Sequence, residues 1–244
     1  MIQNLLYRAL PLTLLLLPYV LHATLEDAGF FFNKESGLLE NITVILLAIA
    51  IFITLKGFQT VATSDWAQPL KKTSQAWLIL YCLGCIYFLG EEISWGQHLF
   101  DWATPDSWAD INDQNETNLH NTYAIFDQIP RAIMTLGIVV FGFFYPIFSN
   151  QKQPQTSQGQ LAPHFFPGKA CVITAATILF ISVHDKIYGL FGTSVPEIID
   201  IGDGEVKECL IALFILVYIV ELSDRWRTAR YDSANDTKAN VETI

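Results

Sequence analysis

Residues 38–56 read LLENITVILLAIAIFITLK, an apolar run whose only ionisable groups are Glu40 near its start and Lys56 at its close. A helix rises about 1.5 Å per residue, so roughly 20 residues cross the hydrocarbon core of a bilayer. This run therefore has the length and character of a membrane span. Comparable runs occupy Leu5–Ala23, Gln75–Glu92, Arg131–Phe148, Lys169–Leu190 and Lys207–Leu222. The composition agrees: 52% of the residues are hydrophobic and only 16% are charged, unlike an ordinary soluble domain. The expected fold is all-α, a polytopic bundle of about six transmembrane helices, with a polar extracytoplasmic loop between the third and fourth. Residues 1–223 form one membrane domain, and 224–244 form a polar cytoplasmic tail expected to lack fixed structure.

The charge pattern supplies an orientation. Arg8, Lys56, Lys71, Lys72, Lys152, Lys169, Arg225, Arg227, Arg230 and Lys238 fall at one set of helix ends, against Lys34, Arg131, Lys186 and Lys207 at the other. The positive-inside bias then makes both termini cytoplasmic. Most of the net charge of −10 is left on the outer face, which argues against nucleic acid and favours cations as partners. Residues 1–23 share features with a signal peptide, but Leu21 suits a cleavage site poorly, and the segment is read as a span. Asn150–Pro167, rich in Gln, Ser and Pro, reads as a flexible linker.

The densest collection of reactive groups is Gly90–Asn121, GEEISWGQHLFDWATPDSWADINDQNETNLHN. Glu91 and Glu92 stand at the end of the third apolar run, where acids beside lipid need a neutralising partner. If the helix continues, Glu91, Ser94, Trp95 and His98 share one face while Glu92 points elsewhere. Trp95, Trp102 and Trp108 are aromatics of the kind found where helices leave the bilayer. On a helix, Asp113, Glu116 and His120 would form one stripe suited to a metal or to proton transfer. The plainer reading of that segment is a hydrogen-bonded loop.

Other positions are weighed in the same way. Glu40 is either a helix-start carboxylate or part of a site. Arg131 opens the fourth run and is a candidate partner for these acids. His184 and Asp185, late in the fifth run, are candidates for a metal or a proton relay. Glu205 and Glu208 are read as solvated. Cys82 and Cys85 form a C-x-x-C deep in an apolar run without a nearby cation, so they and Cys171 and Cys209 are packing residues.

The block G-E-E-I-S-W-G-Q, then T-P, then N-x-Q-x-E-x-N-L-H-N resembles one in a family of uncharacterised bacterial multi-pass membrane proteins. The matching positions are Glu91, Glu92, Ser94, Trp95, Gly96, Gln97, Asn112, Gln114, Glu116, Asn118, Leu119, His120 and Asn121, with Glu26, Asp27, Glu40 and Thr43 as weaker matches. The resemblance implies a shared site in a bacterial inner membrane and supplies no reaction. His98 departs from it, standing where the pattern often has Arg.

Three functions follow as expectations. In the first, Glu91, Glu92, Glu116 and His120 are catalytic, and a divalent metal such as zinc, held by His120, His184 and Asp185, activates water for hydrolysis or transfer on a membrane lipid or lipid-linked substrate. Glu40, Ser94, Gln97, Gln114, Asn118, Asn121 and Arg131 then bind substrate or support that set. In the second, the outer loop docks a protein or lipid partner without turnover. In the third, the embedded acids couple cations to transport.

Overall fold

The computed structural model describes the backbone of residues 2–25, 37–64, 66, 68–112, 116–119, 122–149, 165–193, 196, 201 and 203–242 and, except at 2, 68, 69, 98, 99, 124, 127, 185, 189, 203 and 229–242, their side chains. Among the described residues the regular elements are helices, with no strand. Helix α1 is π-helical over Leu5–Ala9 and α-helical over Leu10–Thr24. Helix α2 spans Leu38–Ala62, and α3 spans Gln68–Glu92. Helix α4 is α-helical over Ala124–Gly137, π-helical over Ile138–Phe144 and α-helical again over Tyr145–Phe148. Helices α5 and α6 cover Val172–Leu190 and Asp203–Glu242.

Among the described residues, five segments are long and apolar enough to cross a membrane: Leu5–Thr24, Leu38–Ala62, Leu70–Glu92, Gln128–Phe148 and Lys169–Tyr188. The sixth expected span, Lys207–Leu222, lies in α6 and is not among them. Its apolar stretch is short, bounded by Lys207 and Glu208 at one end and Glu221 at the other. Burial explains how it differs. Helices α1 to α5 all carry exposed large apolar side chains, such as Leu16, Ile45, Leu80, Leu136 and Phe180, whereas α6 has none among its described residues. Cys209 to Ile219 are buried without interruption. A helix apolar on every side and covered on every side is the centre of a bundle.

Lipid tails are as apolar as leucine, so close van der Waals fit and hydrogen bonds hold such helices together. Helix α6 packs against α1, α2 and α5, and α2 pairs with α3. A Cβ on Gly142 of α4 would drive into the ring of Phe214, so glycine is what lets α4 approach α6. Tyr81 Oη donates to the Ile215 carbonyl at 2.6 Å, and Trp77 Nε1 donates to Tyr218 Oη at 2.9 Å, joining α3 to α6.

One end of the bundle is fastened by α6. Gly168 N donates to Glu221 Oε2 at 2.9 Å, Arg225 Nη2 donates to the Phe166 carbonyl at 2.9 Å, and Tyr218 Oη donates to the Phe165 carbonyl at 2.5 Å. Phe165 and Phe166, expected to belong to a flexible linker, are instead held by these bonds, because their carbonyls meet donors on α6. Residues 150–164 of that linker lie outside the described residues. The tail from Asp224, expected to lack fixed structure, continues α6 as helix to Glu242. At the opposite end lie Glu40, Glu92, Arg131 and Glu208, close to the start of α2, the end of α3, the first half of α4 and the start of α6.

Candidate functional site

Helix α3 stops at Glu92 because the backbone reverses hand. Ser94, Trp95 and Gly96 have φ of 47°, 54° and 102°, and Asp101 has 52°. Left-handed backbone disfavours residues with a Cβ, a bulky tryptophan most of all. The expectation that Glu91, Ser94, Trp95 and His98 share one helical face is therefore corrected: the helix does not continue, and the side chain of His98 lies outside the described residues. Strain of this kind persists only where surrounding bonds over-determine it.

Those bonds come from the polar residues of the block. Glu91, 4% exposed, accepts Trp95 Nε1 at 2.7 Å on Oε1 and the Leu119 amide at 2.8 Å on Oε2. Ser94 Oγ donates to Glu116 Oε2 at 2.8 Å and accepts Asn118 Nδ2 at 3.0 Å, and Asn118 Nδ2 also meets Glu116 Oε2. Asn112 closes the set, donating through Nδ2 to Asn118 Oδ1 at 3.0 Å and accepting the Glu116 amide at 3.1 Å. Gln97 accepts the Thr117 amide at 2.8 Å and donates to Thr104 Oγ1 at 2.8 Å. The result ties the left-handed turn to residues 112 and 116–119. Glu91, Ser94, Gln97, Glu116 and Asn118 thus converge, as the plainer hydrogen-bonded-loop reading of this segment expects.

Glu92 belongs to a second cluster. Its carboxyl, on a residue 9% exposed, is acted on by the carboxyls of Glu208, Glu205 and Glu40 and by the guanidinium of Arg131. Arg131 Nη2 pairs with Glu208 Oε1 at 2.5 Å, with side chains 27% and 15% exposed. Arg131 Nη1 also lies 3.6 Å from where a Cβ on Gly204 would sit, which places the guanidinium against the start of α6. Cys209 and Thr43 are both buried, and Thr43 Oγ1 donates to the Leu39 carbonyl at 3.0 Å. Four helices therefore contribute: α2 gives Glu40, α3 gives Glu92, α4 gives Arg131, and α6 gives Glu205 and Glu208.

Two sequence expectations change here. Glu208, read as solvated, is paired with Arg131 with its side chain 15% exposed, and it and Glu205 lie within range of Glu92 for their charges to act on it. Arg131 pairs with Glu208 of α6. The spacing of Glu205 and Glu208, three apart at the head of an apolar run, was the available signal, since it puts both on one face.

The proposed metal set is described only at His184. That ring lies among the rings of Tyr188, Tyr19 and Phe180, with centroids 5.5, 6.1 and 6.2 Å away. Among the described residues no group of three or more His, Cys, Asp or Glu is placed to hold a metal ion. His120, Asn121, Gln114, Glu26, Asp27 and the side chain of Asp185 lie outside the described residues.

Comparison with protein-family models, with curated proteins and with solved structures finds no match for this chain.

Proposed function

We propose that the protein is a multi-pass protein of the bacterial inner membrane, with α6 as a sixth, central span and both termini cytoplasmic, and that its carboxylate cluster takes up a proton or a small cation from the extracytoplasmic side. The observation that carries this is the setting of Glu92: nearly buried, at the end of a membrane-length helix, near the Arg131–Glu208 pair and within range of the charges of Glu205 and Glu40. Arg131 is committed to Glu208 by direct contact. Ionisable groups gathered where a membrane span ends are the groups that carry protons and cations in membrane proteins. Because the acids come from three helices, with Arg131 added by a fourth and α6 central, loading or emptying the site changes the force between helices. That is the property required for coupling cation uptake to a transported or bound substrate.

The test is infrared difference spectroscopy on protein reconstituted in vesicles, between acidic and alkaline buffer and between buffers with and without sodium. A protonated-carboxyl band that responds to pH or sodium in the wild type and is lost in Glu92→Gln is the expected result. An identical difference spectrum in the variant would end this reading.

A second reading, a hydrolase or transferase acting on a lipid or lipid-linked substrate, is favoured by one observation. The Glu91 bond to the Leu119 amide anchors the residue that precedes His120 and Asn121. A tethered backbone there suits a loop built to present an imidazole. Metal analysis of the purified protein beside His120→Ala decides it: zinc that is absent, or indifferent to the change, removes the metal-assisted version.

A further inference from the structure

The left-handed turn after α3 does more than end the helix, because it carries two pairs of exposed aromatic rings. Tyr87, on the exposed flank of α3, meets Trp95 with ring centroids 6.0 Å apart, and Phe100 stacks on Trp102 at 6.0 Å with an interplanar angle of 6°. Glycines seat both pairs. A Cβ on Gly90 would come within 2.9 Å of the Trp95 ring, and one on Gly96 would come within 3.2 Å of both Phe100 and Trp102. The four rings stay largely uncovered all the same: Tyr87 is 45%, Trp95 47%, Phe100 74% and Trp102 40% exposed. Trp102 Nε1 reaches only as far as Thr117 Oγ1, at 3.4 Å, and Trp95 Nε1 is bound to Glu91. The rings thus keep their polar edges toward the loop.

We propose that Trp95, Phe100 and Trp102 form a wedge seated in the outer leaflet, so that the turn from Trp95 to Trp102 lies in the headgroup layer and does not project into water. The occupant follows from continuity: Tyr87 belongs to the membrane-length segment Leu70–Glu92, Trp95 packs on Tyr87, and Phe100 and Trp102 lie against Gly96, the residue after Trp95. Tyrosine and tryptophan with one apolar and one polar side are suited to this depth. Charge selects the lipid. Residues 97–119 contain no Lys or Arg, and Asp101, Asp106 and Asp110 are exposed, so attraction to anionic lipid plays no part and zwitterionic headgroups fit best. Burial of ring surface drives the seating. A consequence is that the left-handed turn and the cluster around Glu92 sit beside the headgroups.

This inference rests on the multi-pass membrane reading and is independent of what the carboxylates bind. The four native cysteines are buried, which permits selective spin labelling of single introduced cysteines in the full chain. Phe100→Cys, Leu80→Cys and Ser107→Cys are reconstituted in phosphatidylcholine vesicles, and collision with oxygen is compared with collision with a water-soluble nickel chelate. Leu80, 64% exposed on α3, is the lipid reference, and the exposed Ser107 is the aqueous one. Position 100 is expected to favour oxygen severalfold over Ser107, approaching position 80, with no gain on adding anionic lipid. A lipid signal at 80 with an aqueous one at 100 overturns the wedge alone and leaves that face to a protein partner. An aqueous signal at 80 overturns the membrane reading with it. As a check independent of labelling, brominated phosphatidylcholine should quench the wild type more than Trp102→Phe, and equal quenching would count against the wedge.

Discussion

Glu91 and Leu119 lie 28 positions apart in the chain, yet the Leu119 amide donates to Glu91 Oε2 at 2.8 Å while Trp95 Nε1 occupies the other oxygen. One buried carboxylate therefore fastens both the strained turn and the returning segment. Hydrogen bonds to a charged group are worth about 1.5–3 kcal/mol each, and a buried donor left without a partner costs more than a neutral replacement of both. Glu91→Ala is expected to lower stability by about 2–4 kcal/mol and to speed hydrogen exchange at the Leu119 amide. Glu91→Gln, which keeps one acceptor oxygen, is expected to lose less. Unchanged exchange at Leu119 in the alanine variant would show that the bond does not hold the segment.

Gly90 and Gly96 are predicted to fail for different reasons. Alanine at 90 puts a Cβ 2.9 Å from the Trp95 ring on ordinary helical backbone, whereas alanine at 96 is strained by a φ of 102° and crowds Phe100 and Trp102. Each substitution should cost about 1–3 kcal/mol. Removing the ring should separate them: Trp95→Ala is expected to relieve Gly90→Ala but not Gly96→Ala, as read by unfolding in detergent. Equal relief of both would mean that backbone strain is not the cause at Gly96.

The membrane-length helices were legible in the sequence because length and apolarity alone define them. The central role of α6 was not, since being covered by neighbours rather than lipid leaves the composition of an apolar run unchanged. At the site, sequence spacing put Glu91, Ser94, Trp95 and His98 on one face by assuming a continuing helix, and it was the resemblance that set Glu91, Ser94, Glu116 and Asn118 in one block. The left-handed backbone at Ser94 and Trp95 carries no residue-type signal, as both are ordinarily right-handed. The spacing of Glu205 and Glu208 puts them on one face, but only the packing of α6 brings Glu208 to Arg131 and their charges within range of Glu92.

The Arg131–Glu208 pair predicts a coupling that reaches Glu92. The pair is neither fully exposed nor fully dry, with side chains 27% and 15% exposed, so its coupling energy should fall between surface and buried values, at about 1–3 kcal/mol. Arg131→Gln should cost more than Glu208→Gln, because it removes the cation that faces Glu92 as well. A double-mutant cycle read by unfolding in detergent measures this. Additive losses would show that the contact carries no interaction energy.

At the other end of the bundle, Gly168 and Glu221 are predicted to be coupled with opposite sign. A Cβ on Gly168 would collide with the Glu221 carboxylate, which in the wild type accepts the Gly168 amide at 2.9 Å and the Cys171 thiol at 3.3 Å. Gly168→Ala must push the carboxylate away and so loses both bonds, at about 2–3 kcal/mol. Glu221→Ala loses the same bonds without a collision. The double variant is therefore expected to be little worse than either single one, and its deficit should fall short of the sum by about 1–2 kcal/mol. Additive losses in that cycle would mean that Glu221 is not what makes residue 168 a glycine.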